Sequence, residues 1–377
     1  MTEPVSNSDS DPSEPLTLTD EEIEAVEAAE PEAGPIVYSG TDFDVEGLVR
    51  RLNRGDIVIP NFGRSDDDID VAGFQRSFVW RRPQMDRFIE SLLLGYPIPA
   101  IMLIQQPDKR YLVLDGQQRL RTLQYFYSGT YRDQPFALTN VTDEYKGLTY
   151  DSLSEPQRRT LDNTFFQTII VRGDGTPGSL DAVYQVFERL NSGGTQLTPH
   201  EIRVALYSGP FVGYLTELNA VPSWRKIYGP LSPRLRDQEV ILRVIALHTR
   251  SNEYFSPLKK FLNKFMGDHR ALDSFPSEKI RSLFIQATDA LESAGVRDAI
   301  RRAGQRVNTA LLESVIVGYM RQIADGSPLE PRRLAVALSE IGKDQGLLTA
   351  SASSTTSEEN VRARLAGVSR HLASNTK

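Results

Sequence analysis

The feature that most narrows the fold is a change of period along the chain. Up to about residue 200, short apolar runs of strand length alternate with amphipathic helical stretches; from Thr198 to about Gly342 nearly everything reads as helix. The first half therefore predicts a mixed α and β unit and the second an all-α region, an α+β arrangement overall. Leu48 and Leu52 predict a helix ended by Gly55, followed by a strand at Ile57–Ile59. Pro83 suits the first turn of a helix carrying Phe88, Ile89, Leu92 and Leu93, which Gly95 and Pro97 stop. Ile101–Ile104 and Tyr111–Leu114 read as strands joined at Pro107-Asp108, and a buried strand is expected at Phe165–Val171. Thr198-Pro199-His200-Glu201 combines a capping box with an early helical proline, a strong helix start. Clearer helices of the second half are expected over Asp237–Leu247, Pro257–Phe265, Glu278–Ala294 and Asn308–Ile323.

The chain divides into four segments. Residues 1–40 form an acidic tail with too few large apolar side chains to offset ordering entropy, and are expected to be disordered. Residues 41–208 form the mixed domain and 209–346 a helical domain, while 347–377 hold a flexible linker, Ser351–Ser357, and a short terminal helix. The net charge of −7 is misleading taken whole, because Met1–Pro35 contains eleven acidic residues and no basic one. Without those eleven the chain has 39 acids against 43 bases, a balance of +4 compatible with a polyanionic partner. The absence of cysteine excludes disulfides, thiol catalysis and Cys-type zinc sites. No apolar run is long enough to span a bilayer, and the acidic N-terminus does not resemble an export signal, so a cytoplasmic location is expected.

The chemistry points to Asp115-Gly116-Gln117-Gln118-Arg119, where a strand runs through glycine straight into a helix. The first N–H groups of a helix lack internal partners and carry partial positive charge, so they suit a phosphate, and Gly116 permits close approach. Asp115 and Arg119, four apart, share a helix face, and Gln117 and Gln118 add neutral donors and acceptors. A purely structural alternative stands beside this reading. Asp115 with Gln118 three residues later is itself a capping box, with Arg119 merely paired to Asp115 at the surface. Two further segments carry candidate residues: Gln75 and Arg76, and Phe187, Arg189 and Asn191 before Gly193-Gly194, where an ordinary glycine C-cap is the bland alternative. No Walker-type phosphate loop is present, since Gly173–Ser179 lacks the lysine. Asp133, Glu144 and Lys146 are only a chance-level match to a nuclease core, and Asp66–Asp70 reads as a solvated loop. Arg297, Arg301 and Arg302 are expected on solvated helix faces.

The runs FQRSFVWRRPQMDRFIESLLLGYPIPAIML and YLVLDGQQRLRTLQYFYSG, followed in order by FERLNSGGTQLTPHEIRVALYSG and RLRDQEVILRVIAL, resemble the N-terminal domain of GmrSD-type restriction endonucleases over about Phe43 to Leu262. The resemblance implies a ParB/sulfiredoxin-like fold, nucleoside-triphosphate binding and hydrolysis, and a role in restricting modified or foreign DNA. It places the active segment on Asp115, Gly116, Gln117, Gln118 and Arg119, with Gln75, Arg76, Arg189 and Asn191 as further phosphate-binding residues. Magnesium is the expected metal, with Asp115 either its ligand or a proton acceptor; GTP, ATP and UTP are not distinguished. On this view Arg119 and Arg76 hold phosphate oxygens, Gln117 or Gln118 orients water, and loss of Arg119 spares the fold. Longer relatives carry an HNH-type nuclease domain, but His200, His248, His269 and His371 are not spaced for such a site. A separate HNH polypeptide, DNA cleavage by the DGQQR segment itself, or a non-catalytic sensor of nucleotide or DNA are the readings left open, and an oligomer is compatible with all three.

Overall fold

Seven strands and four helices build the first half, in a computed structural model that describes residues 37–59, 80–106, 108–172, 182–186, 198–300 and 308–375. In chain order these are β1 (Val37–Asp44), α1 (Val45–Arg54), β2 (Ile57–Val58), α2 (Arg82–Leu93), β3 (Ile101–Gln105), β4 (Tyr111–Asp115), α3 (Gln117–Ser128), the small hairpin β5 (Thr130–Tyr131) and β6 (Gln134–Pro135), α4 (Glu155–Asp162) and β7 (Phe165–Arg172). The main sheet runs β1-β7-β3-β4-β2. Its directions are mixed: β7 is antiparallel to β1 and parallel to β3, whereas β4 is antiparallel to β3 and parallel to β2.

Local sequence explains most element ends. Asp44 caps α1 by accepting from the Gly47 N–H, and Gly55 closes that helix. Ser154 and Gln157 form a capping box on α4. Pro83 stands in the first turn of α2, one residue after Arg82. Order begins earlier than the sequence predicts, because Val37 to Asp44 pair residue for residue with Arg172 to Phe165. Ser39, Gly40, Thr41 and Asp42 give that edge strand no apolar alternation; the backbone ladder to β7 defines it instead.

The sheet is covered on both faces. Ile101, Leu103, Val113, Phe166 and Ile170 belong to one core with Leu48, Leu92, Leu120 and Leu123 of α1, α2 and α3. Ile104, Leu112, Leu114 and Val171 point the other way and join a larger core with Leu206, Phe211 and Leu262. This is the period-2 alternation of strands, used on both sides.

The second core is that of the helical half: α5 (Pro199–Leu206), α6 (Pro210–Asn219), α7 (Pro222–Tyr228), α8 (Arg236–Arg250), α9 (Leu258–His269), α10 (Ser277–Ser293), α11 (Val296–Ile300), α12 (Thr309–Ala324), α13 (Pro331–Ile341), α14 (Gln345–Ala350) and α15 (Glu358–Ser374). Thr198 caps α5 and forms its capping box with Glu201, as the sequence predicts. The C-terminal segment differs from expectation. α15 is 17 residues long rather than short, and Ser351, Thr355 and Thr356 before it are buried. Arg364, itself buried, donates to the carbonyls of Ala350 at 2.9 Å and Thr355 at 2.6 Å, so the Ser- and Thr-rich stretch is held by backbone contacts that composition does not display. No helix among the described residues is long and apolar enough to cross a membrane.

Asp86 on α2 anchors the loop after β6. It is fully buried and accepts from Arg82 Nε at 2.8 Å, from the Thr139 hydroxyl at 2.9 Å, and from the Asn140 amide side chain at 2.8 Å and N–H at 3.0 Å. Burial pushes its carboxyl up, but these donors outweigh it and hold the pKa below the ordinary 3.8. The folded state then binds fewer protons than the unfolded one. The stabilisation is complete above the ordinary carboxylate range and is lost as pH falls through the depressed value. Asp86→Ala is expected to cost roughly 3–5 kcal/mol, since Arg82 and the loop donors lose a buried partner. Chemical denaturation at neutral pH checks this; an unchanged midpoint would show that the anchor contributes nothing.

Candidate functional site at the β4–α3 junction

Asp115 ends β4, and Gly116 turns the chain at once into α3. Strand pairing makes this end irregular: Leu103 faces Val113, but Met102 faces Asp115, leaving Leu114 without a partner in the register. One extra residue bends a strand and re-aims the side chains beyond it. Strict alternation would send the Asp115 carboxylate to the same side as Val113, into the core. With the bulge, its side chain is 59% exposed.

Gly116 is required twice over. Its φ of 96° lies in the left-handed region, and a Cβ there would sit 2.6 Å from Ile101 Cγ2. As N-cap of α3 it has no side chain to satisfy the first N–H groups of the helix. The capping box between Asp115 and Gln118, open from the sequence, does not form. Asp115 stays in the strand, and Gln118 Oε1 instead accepts the Trp80 N–H at 3.1 Å.

Arg119 turns inward. Its guanidinium donates to the carbonyls of Pro99 and, at 3.2 Å, Ala100, and pairs with Asp115 Oδ2 at 2.9 Å. Only 11% of its side chain is exposed. Burial pulls its pKa below the ordinary arginine value and the Asp115 charge only partly offsets this; it remains a cation at neutral pH. The sequence expectation is that Arg119 grips a ligand phosphate and that its removal spares the fold; here the guanidinium lies against protein acceptors, so a structural role stands beside the expected one. The guanidinium joins the 94–100 loop to the end of β4, and its donors already face protein oxygens. The structure thus brings together Asp115, Gly116, Gln117, Gln118 and Arg119. Gln75, Arg76, Phe187, Arg189 and Asn191 lie outside the described residues, as do Asp66–Asp70 and Gly173–Ser179.

Sequence reasoning missed Trp80 and the Pro99 and Ala100 carbonyls. The prolines of Gly95-Tyr96-Pro97-Ile98-Pro99 were the available signal: they fix an extended loop whose carbonyls have no helix or ladder partner. As chemistry, the junction presents one exposed carboxylate beside the positive end of a twelve-residue helix. That pairing suits a ligand carrying both an anionic group and either a proton or a cation. Among the described residues no three His, Cys, Asp or Glu side chains gather as a metal cage. Asp115 alone fits a magnesium ion only in the manner in which that ion commonly binds, through one carboxylate together with substrate phosphates. The histidines are elsewhere: His200 is buried against Gln238 at 3.0 Å, and His371 pairs with Asp344 at 2.8 Å.

Residues 50–208 match the family model described as GmrSD restriction endonuclease, N-terminal domain. The match contains the whole junction, from Trp80 through Arg119. Comparison with curated proteins and with solved structures returns no match.

Two substitutions test the geometry. Arg119→Ala should destabilise the protein by about 1–3 kcal/mol, because two carbonyls lose their donor. Gly116→Ala should cost at least as much, from the left-handed backbone and the Ile101 contact together. Urea unfolding of both variants measures this, and an Arg119→Ala protein as stable as wild type would remove the clamp.

Proposed function

Since residues 50–208 form a domain of the GmrSD N-terminal family, we propose that this protein is a cytoplasmic component of a restriction or anti-phage system that binds and hydrolyses a nucleoside triphosphate at the β4–α3 junction. The observation carrying this reading is the exposed Asp115 carboxylate, held by Arg119 beside a helix start whose N-cap is glycine. On the same reading the sheet and α1–α4 make the ParB/sulfiredoxin-like unit, and DNA cleavage belongs to a separate HNH-type polypeptide.

Each group takes its role from its position. Backbone N–H groups at the start of α3 hold a terminal phosphate oxygen, with the helix dipole adding to the attraction. Asp115 accepts the proton of the attacking water, or holds a magnesium ion together with the phosphates. Such an ion would neutralise charge on the phosphate oxygens. The half-buried Gln117 carries an amide that orients the water. The water oxygen bonds to the terminal phosphorus as the bond to the bridging oxygen breaks, and the nucleoside diphosphate leaves with that electron pair. Positioning and charge supply the rate in this class of reaction. Arg119 acts through Asp115 rather than on the ligand, so it is a positioning residue.

Phosphate release from each of the four triphosphates, with and without DNA, tests this on the full chain. Asp115→Asn keeps an amide oxygen for Arg119, so the variant should fold with at most a small fall in melting temperature, and it should lose roughly 100-fold or more in turnover. Equal turnover by Asp115→Asn would overturn the assignment. Plasmid cut by the pure protein would move the chemistry from triphosphate to DNA.

A further inference from the structure

The loop that Arg119 ties to Asp115 also presents Tyr96. Tyr96 is 58% exposed, the neighbouring Leu94 is 42% exposed, and among the described residues Tyr96 has no partner for its ring or hydroxyl. An exposed tyrosine is ordinary on a mobile loop, but the backbone under this one is held from both sides. On the N-terminal side, α2 closes with the Gly95 N–H on the Leu92 carbonyl at 3.1 Å and the Tyr96 N–H on the Ser91 carbonyl at 2.8 Å, with Gly95 at φ 70°. Toward the other end Pro97 and Pro99 set their own φ, Ile98 packs against the smaller core, and Arg119 holds the carbonyls of Pro99 and Ala100. The ring therefore stands on a preorganised base, where binding immobilises little that was free before.

Tyr96 is three residues from Pro99, so the two Cα atoms are at most about 11 Å apart. Pro99 in turn shares one guanidinium with Asp115. We infer that Tyr96 is the base-stacking residue of the junction: the nucleobase lies on its ring while the phosphates lie at the start of α3. This rests on the phosphate site proposed above and deepens it, giving the ligand a base as well as a charge. Stacking is tolerant of base identity because every base has a π-face. The ring therefore adds affinity for nucleotides as a class, without selecting among them.

Calorimetric titration of wild type, Tyr96→Ala and Tyr96→Phe with each of the four triphosphates and with inorganic tripolyphosphate tests it. All three proteins should share one melting temperature, because the ring is exposed. Tyr96→Ala should bind nucleoside triphosphates on the order of 5- to 100-fold more weakly, Tyr96→Phe should retain wild-type affinity, and tripolyphosphate should bind all three alike. If Tyr96→Ala binds nucleotides as tightly as wild type, stacking is overturned and the phosphate site stands. If Tyr96→Ala weakens tripolyphosphate equally, the residue acts on the phosphates or the loop, and the inference fails. If wild type binds neither ligand, the phosphate site itself fails and takes this inference with it.

Discussion

A sheet with apolar side chains on both faces must be buried on both, and that requirement organises this molecule. α1, α2 and α3 cover one face, and the helical half closes over Ile104, Leu112, Leu114 and Val171 on the other. With both faces occupied, polar groups on the central strands reach solvent only at strand ends. Asp115 stands at such an end, on β4, between β3 and β2. The helical half is thus one wall of the sheet's own core, and the place available for chemistry is set by that covering.

At that end the geometry depends on a small set of compensations. The bulge at Leu114 takes Asp115 out of the core, Gly116 accepts a backbone that a larger residue would resist, and Arg119 fills the space beneath while bonding to the adjacent loop. A buried guanidinium demands acceptors, and the proline-rich loop supplies carbonyls that need donors. Each satisfies the other. The carboxylate stays exposed yet fixed in place, the condition for a group that acts on a ligand rather than on the fold.

The helical half shows the same principle on a larger scale. Glu313, buried on α12, lies between Arg243 at 2.6 Å and Arg364 at 2.8 Å. Glu201 meets Arg234 at 3.2 Å, and Asp237 meets Arg225 at 2.8 Å and Asn219 at 3.0 Å. Buried charges of this kind tie α6, α7, α8, α12 and α15 into one arrangement, because separating a pair takes a partner from a charge that is shielded from solvent. Several of these residues fall in the TPHEIR and RLRDQE runs that carry the family resemblance. In this structure they serve the packing of the helices.

Much of the fold was legible in the sequence wherever a signal is local. The Thr198 capping box, the Gly55 helix end, the strand-length apolar runs and the helical periods after residue 200 all depend on residues within a turn or two of each other. The site was legible in outline for the same reason, since a strand, a glycine and a helix start are adjacent in Leu114–Gln117. Contacts between distant residues were not legible. An edge strand made of Ser, Gly, Thr and Asp exists only because β7 lies beside it. A long terminal helix is docked by an arginine that reaches back to Ala350 and Thr355. The inward turn of Arg119, toward carbonyls about twenty residues away, was decided by which loop the tertiary structure brings within reach. Local chemistry set the strand, glycine and helix start of the junction; long-range packing decided which of its side chains turn inward and which stay exposed.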